Sequence, residues 1–407
     1  MIKVTGRLIG AAILLAGIFT AAARAQEAAT NGLDKVSIQL RWQHQFQFAG
    51  YYAAAAKGFY AEEGLEVELK PRLPAQNHIQ SVVDGEAEYG VADAGLILNR
   101  LQGDPVVLLA QIFQHSPQVF VARQDSGIVE PADLAGKRIM LTPQDSSTAP
   151  FSALLIQALG SADQAITVPH THRLQEFIDG DVDVLTAYLT DEPFALRQLG
   201  IDLNIINPHN YGLDFYGDNL FTTEQELHRF PGRAERIRRA TIRGWAYALD
   251  HPDEIIDLIL STYAPEASRE RLAYEARMTA NIIQPDLIPI GSFEPERIRR
   301  SLRMYALLGM AESDELPDGF LYTPRPEFGL TPAEQDWLQA HPRITLGFSL
   351  DYEPALMQSE DGSYSGVVWD LLELIRARIP CAIDLETDDW PEMRAKAERR
   401  EVDGLLA

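Results

Sequence analysis

The sequence has little cysteine and little positive charge. Its single cysteine, Cys381, leaves no partner for an internal disulfide and excludes a cysteine-rich metal site. The 35 lysine and arginine residues are outnumbered by 59 aspartate and glutamate residues, which gives a formal net charge of −24 at pH 7. Such a chain repels phosphate backbones and anionic lipid surfaces, so nucleic acid is not an expected partner.

Long apolar runs are confined to the first 25 residues, and no later stretch approaches the roughly 20 apolar residues that a membrane span needs. Two basic residues precede an apolar stretch over 8–23, and Ala23-Arg24-Ala25 has the pattern of a cleavage site. This order predicts a signal peptide over residues 1–25 and a mature, periplasmic or secreted protein that begins near Gln26. An uncleaved membrane anchor is the alternative.

What the sequence does contain is the alternation typical of an α/β fold. Residues 35–40 and 65–69 alternate apolar and polar side chains, as half-buried strands do. Residues 50–63 predict a helix between them, with Gly64 in the capping position. Strand, helix and strand in this order predict a parallel sheet with a right-handed crossover.

Two segments share one pattern, "SVVDGEAEYGVADA" over 81–94 and "EFIDGDVDVLTAY" over 176–188, and "RREVDGLLA" over 399–407 is a loose third copy. Gly85 and Gly180 are expected to take the left-handed conformation that turns a helix end into a strand. The repeat predicts two related lobes. Ligands of open parallel sheets bind beyond the carboxyl ends of strands, so the residues expected to face a cleft are Asp93, Ala94, Ala187 and Tyr188.

The stretch "LRWQHQFQFAGYYAAAAKGFYAEEGLEVEL" over 40–69 resembles the opening of a periplasmic binding-protein family. That family includes proteins for thiamine-pyrimidine precursors and alkylsulfonates, and also the thiamine pyrimidine synthase. "DLAGKRI" (133–139), "TDEPFALRQLG" (190–200) and "IQPDLIPIG" (283–291) fit the same family in the same order. The resemblance covers residues 35–322 and implies a type II periplasmic binding protein fold, with two doubly wound lobes, a hinge and an interlobe cleft.

The domain boundaries expected from this resemblance place a binding domain over 26–325. Its first lobe takes residues 35–120 and 220–325, and its second lobe takes 121–219. Residues 326–407 resemble the first part of an amino-acid-type solute-binding domain and are expected to form an incomplete second α/β domain. A binding domain of this variant followed by such a tail resembles the extracytoplasmic region of bacterial sensor kinases and diguanylate cyclases.

Aromatic residues near the first strand are the leading ligand candidates. Trp42 stands where the family places an aromatic wall, and a ring stacked on a pyrimidine would gain about 1 kcal/mol beyond area burial. Core packing is the alternative for Trp42, and for Phe46 and Phe48 the two interpretations are equally open. Tyr51 and Tyr52 lie about 100° apart on a helix, so at most one of them can face the cleft.

Polar residues at the strand ends complete the candidate set. Asp93 and Glu192 could accept hydrogen bonds from an exocyclic amine, and the family places an acidic residue at the position of Glu192. The segment "QDSSTAPF" suits an anion at a helix N-terminus, or its hydroxyls merely cap that helix; the hydroxyl residues concerned are Ser146, Ser147 and Thr148.

Three aromatic residues and two histidines further along the chain are also candidates. Tyr211, Phe215 and Tyr216 lie near the expected second hinge crossing, where either ligand contact or hinge packing accounts for them. His170 and His172 alternate along an extended stretch, but no carboxylate or cysteine at a suitable spacing joins them into a metal site. Tyr216 is retained as a ligand candidate, and no metal is expected.

The expected function is extracytoplasmic binding of a small pyrimidine-like, thiamine-precursor-like or sulfonate-like molecule, without a cofactor. The partner would be an ABC permease or a membrane signalling module. The alternative implied by the resemblance is a thiamine pyrimidine synthase, which uses pyridoxal phosphate, iron and its own histidine. That enzyme needs a Schiff-base lysine, a donor histidine and a cysteine cluster, whereas the first two positions fall on Ala92 and Leu96.

Overall fold

The computed structural model describes residues 33–73, 76–141, 148–171, 173–324, 332–349, 357–358, 364–376, 379 and 381–406. These residues divide into two compact units, Leu33–Thr323 and a second unit that includes Pro324–Ala407. The predicted signal peptide lies outside the described residues. Every helix in the described part of the chain is too short or too polar to cross a membrane.

The unit Leu33–Thr323 contains ten strands. In chain order they are β1 (Asp34–Gln39), β2 (Leu65–Lys70), β3 (Tyr89–Ala92), β4 (Val106–Gln111), β5 (Gln118–Arg123), β6 (Arg138–Met140), β7 (Ile166–Val168), β8 (Val184–Tyr188), β9 (Leu203–Ile206) and β10 (Asn219–Thr223).

Twelve α-helices connect and cover these strands. They are α1 (Ala49–Ala56), α2 (Phe59–Glu62), α3 (His78–Val83), α4 (Leu96–Leu101), α5 (Ala149–Leu159), α6 (Gln175–Ile178), α7 (Glu192–Gln198), α8 (Glu224–Arg229), α9 (Pro231–Asp250), α10 (Pro252–Leu258), α11 (Arg269–Ile283) and α12 (Pro295–Leu307). The prediction of a single helix over 50–63 is wrong in one respect. It breaks at Gly58, whose φ of 77° ends α1 and allows α2 to start in a new direction.

The strands form two five-stranded sheets, one in each lobe, with the orders β2-β1-β3-β10-β4 and β7-β6-β8-β5-β9. The predicted parallel pairing of β1 with β2 is confirmed, and β3 and β8 occupy the same middle position in their sheets. One strand in each sheet is antiparallel to its neighbours, β10 in the first and β5 in the second. The chain therefore passes between the lobes twice, through residues 112–117 and 207–218.

The repeated sequence pattern forms the same helix-to-strand turn in each of its three copies. Gly85 and Gly180 have φ of 77° and 79°, and Arg400 takes the equivalent place in the third copy with φ of 60°. Three residues further along, an acidic side chain accepts a hydrogen bond from the backbone N–H of the adjacent strand. The three bonds are Ser37 N to Glu88 at 2.7 Å, Arg138 N to Asp183 at 2.8 Å and Thr345 N to Asp403 at 2.7 Å.

The alanine-rich helix α1 owes its composition to its contact with α9. A Cβ atom added at Gly50 would lie 2.2 Å from the ring of Trp245, and one at Gly244 would lie 2.1 Å from the carbonyl oxygen of Gly50. Small residues are needed because the two helix backbones approach this closely. Trp245 is fully buried at the crossing, and its ring meets that of Phe113 edge to face with centroids 5.8 Å apart. This packing fixes the turn that precedes α1.

The second unit is described in part and contains a three-stranded parallel sheet of order β14-β11-β15. Cys381 is buried beside Leu338 and Ile383. The elements are α13 (Pro332–Ala340), β11 (Arg343–Ser349), β12 (Met357–Gln358), β13 (Tyr364–Ser365), α14 (Val367–Arg376), β14 (Ala382–Asp388), α15 (Trp390–Glu398) and β15 (Gly404–Leu405).

Candidate ligand site at the strand ends

Arg41 lies just beyond the end of β1 and bonds two carboxylates. Its Nη2 donates to Asp93 Oδ2 at 2.7 Å, and its Nη1 donates to Asp218 Oδ1 at 2.9 Å. Asp93 follows β3 and Asp218 precedes the antiparallel β10, so three adjacent strands bring these side chains to one edge of the sheet. The three residues are 7%, 2% and 2% exposed. The first lobe thus carries a buried ion cluster where the sequence predicts the cleft.

The remaining carboxylate oxygens of this cluster also have donors. Gly95 N donates to Asp93 Oδ1 at 2.9 Å, and Gln47 Nε2 donates to Asp218 Oδ2 at 2.7 Å. Burial raises the pKa of both carboxyls, and the shared guanidinium partly offsets this effect. Burial lowers the pKa of Arg41, but the charges of its two partners outweigh it, so that the net shift is upward. Arg41 is therefore a permanent cation, and each of its two terminal nitrogens already bonds a carboxylate.

The second lobe contacts this cluster through residues of β5 and β8. Tyr188, the last residue of β8, donates its hydroxyl to Asp218 Oδ1 at 3.4 Å, and the centre of its ring lies 5.3 Å from the Arg41 guanidinium. Gln118 Nε2 lies 3.4 Å from Asp93 Oδ2. Burial raises the pKa of Tyr188, so its hydroxyl stays protonated at neutral pH. The strand ends of the two lobes therefore meet directly, as expected for facing cleft edges.

A second group of charges lies where the loop after β8 meets α11 of the first lobe. Arg271 forms an ion pair with Asp191, and its Nε lies 3.6 Å from Glu275 Oε1. Glu192 Oε2 accepts a hydrogen bond from Tyr188 N at 2.8 Å. Burial raises the pKa of Glu192 to about 8, with a further contribution from the charge of Asp191. At neutral pH the Glu192 carboxyl is therefore largely protonated and able to donate a hydrogen bond.

Helix α11 connects this group to the aromatic turn of the first lobe. Glu275 Oε2 accepts a hydrogen bond from Phe46 N at 2.7 Å, and burial raises the pKa of Glu275 well above its usual value. The preceding residue, Tyr274, donates its hydroxyl to Leu189 O at 3.0 Å and stacks on Phe194, with ring centroids 5.0 Å apart. One helix of the first lobe therefore holds both the turn after β1 and the loop after β8.

The candidate aromatic residues occupy different depths. Trp42 is half-buried at the margin of the first-lobe core, whereas Phe46 and Phe48 are fully buried within it. Tyr51 is buried edge to face against Trp245. Burial raises the pKa of Tyr51, with contributions from Tyr60 and Asp218. Of these side chains, Trp42 is the one that combines core contact with exposure beside the strand ends.

Tyr51 and Tyr52 point in different directions, as their helical spacing predicts. Tyr52 stacks on Tyr263 with centroids 4.2 Å apart, and its hydroxyl lies 3.0 Å from His44 Nδ1. Both side chains are buried. Tyr51 instead packs edge to face on Trp245, so the two rings lie in different parts of the core.

The other candidates are spread more widely. Ala94 is half-buried directly after Asp93. Thr148 occupies the N-cap position of α5 without a side-chain cap bond to the helix. Tyr216 is buried at the second interlobe crossing, where its ring lies 4.2 Å from the Arg297 guanidinium and its hydroxyl accepts a hydrogen bond from a backbone N–H. Tyr216 is therefore held at the hinge, and Ser146 and Ser147 lie outside the described residues.

Sequence reasoning did not identify Arg41, Asp218 or Glu275 as members of the site. Arg41 and Asp218 are separated by 177 positions, so no local pattern joins them. The available signal was position: Arg41 adjoins Trp42 after an apolar strand, and Asp218 lies in the segment that contains Tyr216. A charged residue next to a buried strand end calls for a partner, because an unpaired buried charge is too costly.

The positions that the synthase chemistry requires are apolar and buried. Ala92 is the last residue of β3, and Leu96 is the first residue of α4. Both are almost completely buried. Neither an alanine nor a leucine can form a Schiff base or donate imidazole atoms. His170 also has another role, because its Nε2 lies 2.9 Å from the carbonyl oxygen of Thr186.

Comparison with known proteins gives one family match. The family model described as "NMT1/THI5 like" matches residues 45–255, slightly more than half of the chain. The riboflavin-binding protein RibY of Chloroflexus aurantiacus is 27% identical over 251 residues, which cover 60% of this chain and 71% of that protein. The formylaminopyrimidine-binding protein of Halalkalibacterium halodurans is 25% identical over 258 residues, covering 61% of this chain and 77% of that protein.

Solved structures identify the fold. The alkanesulfonate-binding protein SsuA of Xanthomonas axonopodis pv. citri superposes with a TM-score of 0.55 at 10% identity, covering 72% of this chain and 99% of that chain. The periplasmic aliphatic sulphonate-binding protein SsuA of Escherichia coli gives a TM-score of 0.53 at 13% identity, covering 73% and 95%. The predicted periplasmic binding protein fold is confirmed.

Proposed function

The chain belongs to the NMT1/THI5-like family, and we propose that it is an extracytoplasmic binding protein for a flat, pyrimidine-bearing heterocycle. This proposal rests on the side chains that lie at the facing strand ends of the two lobes. They bring an aromatic ring and carboxyl groups together, since the ring of Tyr188 lies beside Arg41, the partner of Asp93, and its backbone N–H donates to Glu192. Such a surface suits a flat ring whose edge carries both hydrogen-bond donors and acceptors.

Charge favours a heterocycle over a sulfonate. Arg41 is the only buried arginine or lysine among the described residues, and its two terminal nitrogens form ion pairs with Asp93 and Asp218. A sulfonate at this place would have to compete with two carboxylates for one cation. The protonated carboxyl of Glu192 offers a donor and an acceptor together, which matches a ring nitrogen beside an exocyclic amine or carbonyl.

The relatives support the same class of ligand. Riboflavin and formylaminopyrimidine, the ligands in the names of two relatives, both contain a pyrimidine ring. An anionic ligand of the sulfonate type is the second candidate, because a fold of the same kind carries sulfonate binding in the structural neighbours. The synthase alternative is less favoured because Ala92 and Leu96 cannot supply its chemistry.

The proposed partner is a membrane component. Lobe closure would deliver the ligand to an ABC permease or, with the second unit from Pro324 onward, report its presence to a membrane signalling module. Either use requires that the ligand bind the closed form better than the open form. We favour the signalling role because a second α/β unit follows the binding unit.

A thermal-shift screen of the whole chain tests the proposed ligand class. The panel contains formylaminopyrimidine, riboflavin and two alkanesulfonates. A ligand present at 100 times its Kd stabilises the native state by about 2.7 kcal/mol, which raises the Tm by about 5 °C for a unit of this size. Stabilisation by a pyrimidine-bearing compound is expected. Stabilisation by sulfonates alone would overturn the heterocycle proposal, and no shift with any compound would overturn the binding function.

A matched pair of tryptophan variants locates the site. Trp42→Ala should weaken binding of the stabilising compound about tenfold, since a lost aromatic stack is worth about 0.5 to 1.5 kcal/mol. Trp337→Ala, a substitution of a half-exposed tryptophan in the second unit, should leave the affinity unchanged. Isothermal titration calorimetry measures both. Equal affinities in the two variants would contradict the placement of the ligand beside Trp42.

A further inference from the structure

We propose that His115, His209 and Asp214 form a binding site for a divalent transition-metal ion of the zinc class at the hinge. His115 Nδ1 lies 2.7 Å from Asp214 Oδ1, and His209 Nδ1 lies 3.0 Å from the same oxygen. The three ligand atoms lie within 4.8 Å of one another. No other group of three such side chains at this spacing occurs among the residues that the structure describes.

The donor set fits the proposed ion. Two imidazole nitrogens and one carboxylate oxygen are ligands that zinc prefers, with a solvent molecule free to complete a tetrahedron. Metal bonds of about 2.0 to 2.1 Å place tetrahedral ligand atoms about 3.3 Å apart. The observed separations of 2.7 and 3.0 Å therefore need to open by about 0.6 and 0.3 Å to reach this tetrahedral spacing. Side chains that are 27%, 50% and 37% exposed leave an entry path for the ion.

Arg297 is the arginine that contacts the site. It donates to Asp214 Oδ2 at 3.0 Å, and thus binds the oxygen that does not face the histidines. It is held independently by the carbonyl oxygen of Gln114 and by stacking on Tyr216. Its guanidinium orients the carboxylate and leaves Oδ1 directed at the two imidazoles.

The hydrogen bonds around His115 also favour a cation. His115 Nδ1 faces the acceptor Asp214 Oδ1 at 2.7 Å and the donor Arg297 Nη2 at 3.3 Å. A protonated Nδ1 can donate to the carboxylate, but its hydrogen then faces the guanidinium N–H. An unprotonated Nδ1 can accept from the guanidinium N–H, but its lone pair then faces the carboxylate oxygen. An ion bound by Nδ1 and Oδ1 uses a lone pair of each atom, and Arg297 Nη2 then keeps the carbonyl oxygen of Gln114 and Asp214 Oδ2 as its acceptors.

The position of the site gives the ion a mechanical role. His115 lies in the first crossing between the lobes, residues 112–117, and both His209 and Asp214 lie in the second, residues 207–218. A metal bound by all three joins the two crossings at one point. Because a hinge bends through such segments, the bound ion would stiffen the motion that closes the cleft.

Metal titration of the untagged full-length chain tests this proposal. Zinc affinity is measured by competition with a chromophoric chelator, and cobalt replaces zinc for visible spectroscopy. We expect one ion per chain and the strong absorption of tetrahedral cobalt. His209→Ala and Asp214→Asn should each weaken binding at least about tenfold, since even the loss of residues that only support ligands costs that much.

The control is His251→Ala, which removes an exposed histidine at the end of α9. It should bind zinc as the wild type does. His209→Ala removes a half-exposed ring, and a far-ultraviolet circular dichroism spectrum checks that the variant is folded. Unchanged zinc affinity in a folded His209→Ala, or an octahedral cobalt spectrum in the wild type, would overturn the proposed site.

Discussion

In the first lobe, Asp93 and Asp218 share the guanidinium of Arg41, which belongs to the same lobe. In the second lobe, Asp191 meets Arg271, which comes from α11 of the first lobe. The first cluster can persist whether the lobes are together or apart. In the second cluster, Arg271 and Glu275 belong to one helix, but the ion pair with Asp191 exists only when the lobes touch, so the charge balance of this cluster is tied to closure.

The difference separates two roles of buried charge. A carboxylate pair with a cation of its own lobe gives that lobe a fixed structure at its strand ends. In the second cluster, the carboxylate of Asp191 is paired with Arg271 of the other lobe. The contact between the lobes therefore depends on protonation, because Asp191, Glu192 and Glu275 gather around the guanidinium of Arg271. Three variants test this comparison.

Arg41→Met should have the largest effect. Removal of one partner from a buried pair leaves uncompensated charge and costs about 3 to 5 kcal/mol of unfolding free energy. Urea unfolding of the unit that contains residues 33–323 measures the loss. The matched control is Arg299→Met, whose pair with Glu296 is exposed and worth at most about 1 kcal/mol. Equal losses in the two variants would mean that the first-lobe cluster does not stabilise the fold.

Glu192→Gln should flatten the pH dependence of stability. Burial raises the folded pKa of Glu192 to about 8 from its usual value of 4.5, so between these values the folded state holds a proton that the unfolded state has released. Stability contributed by this group is therefore present below pH 4.5 and is lost as the pH rises toward 8. The variant should lose less stability across this window, as measured by urea unfolding from pH 5 to 8.

Glu266→Gln provides the control for charge alone. It removes the same formal charge from an exposed position and should retain the slope of the wild type. Because Glu275 is shifted in the same direction, some slope should also survive in Glu192→Gln. A slope in Glu192→Gln equal to that of Glu266→Gln would show that the second cluster does not couple protonation to stability.

Tyr188→Phe should have the smallest effect of the three. It removes one hydroxyl bond of 3.4 Å to Asp218 and keeps the ring beside Arg41. A hydrogen bond this long should contribute about 0.5 to 1 kcal/mol, measured as the change in urea midpoint. Tyr211→Phe, at an exposed tyrosine, should change nothing. A loss above about 2 kcal/mol would mean that the lobes depend on this single contact.

The sequence predicted the parts of the fold that depend on local patterns. Gly85 and Gly180 were identified because a helix that turns directly into a strand needs a left-handed residue, and both have positive φ. The break at Gly58 was missed because the apolar pattern continues on both sides of it. Alternation along 65–69 marked a strand correctly because one face of that strand is covered more than the other.

The site was predicted only in outline. Strand ends such as Asp93 and Tyr188 follow from topology, and the structure brings these two residues to the same cluster. Which charges meet there depends on segments far apart in the chain, as with Arg41 and Asp218. The depth of Phe46 and Phe48 in the core depends on α9 and α11, which no pattern near residue 46 reveals.

The acidic residue that directly precedes each of β3, β8 and β15 also limits how this sequence can diverge. Glu88, Asp183 and Asp403 each accept a hydrogen bond from a backbone N–H of the adjacent strand, one residue before the first paired position. An insertion of one residue after Gly85 would carry Glu88 away from Ser37 and turn the following side chains to the opposite face of the sheet. Evolution can therefore lengthen the chain before these turns, whereas the two residues between turn and acid must keep their number.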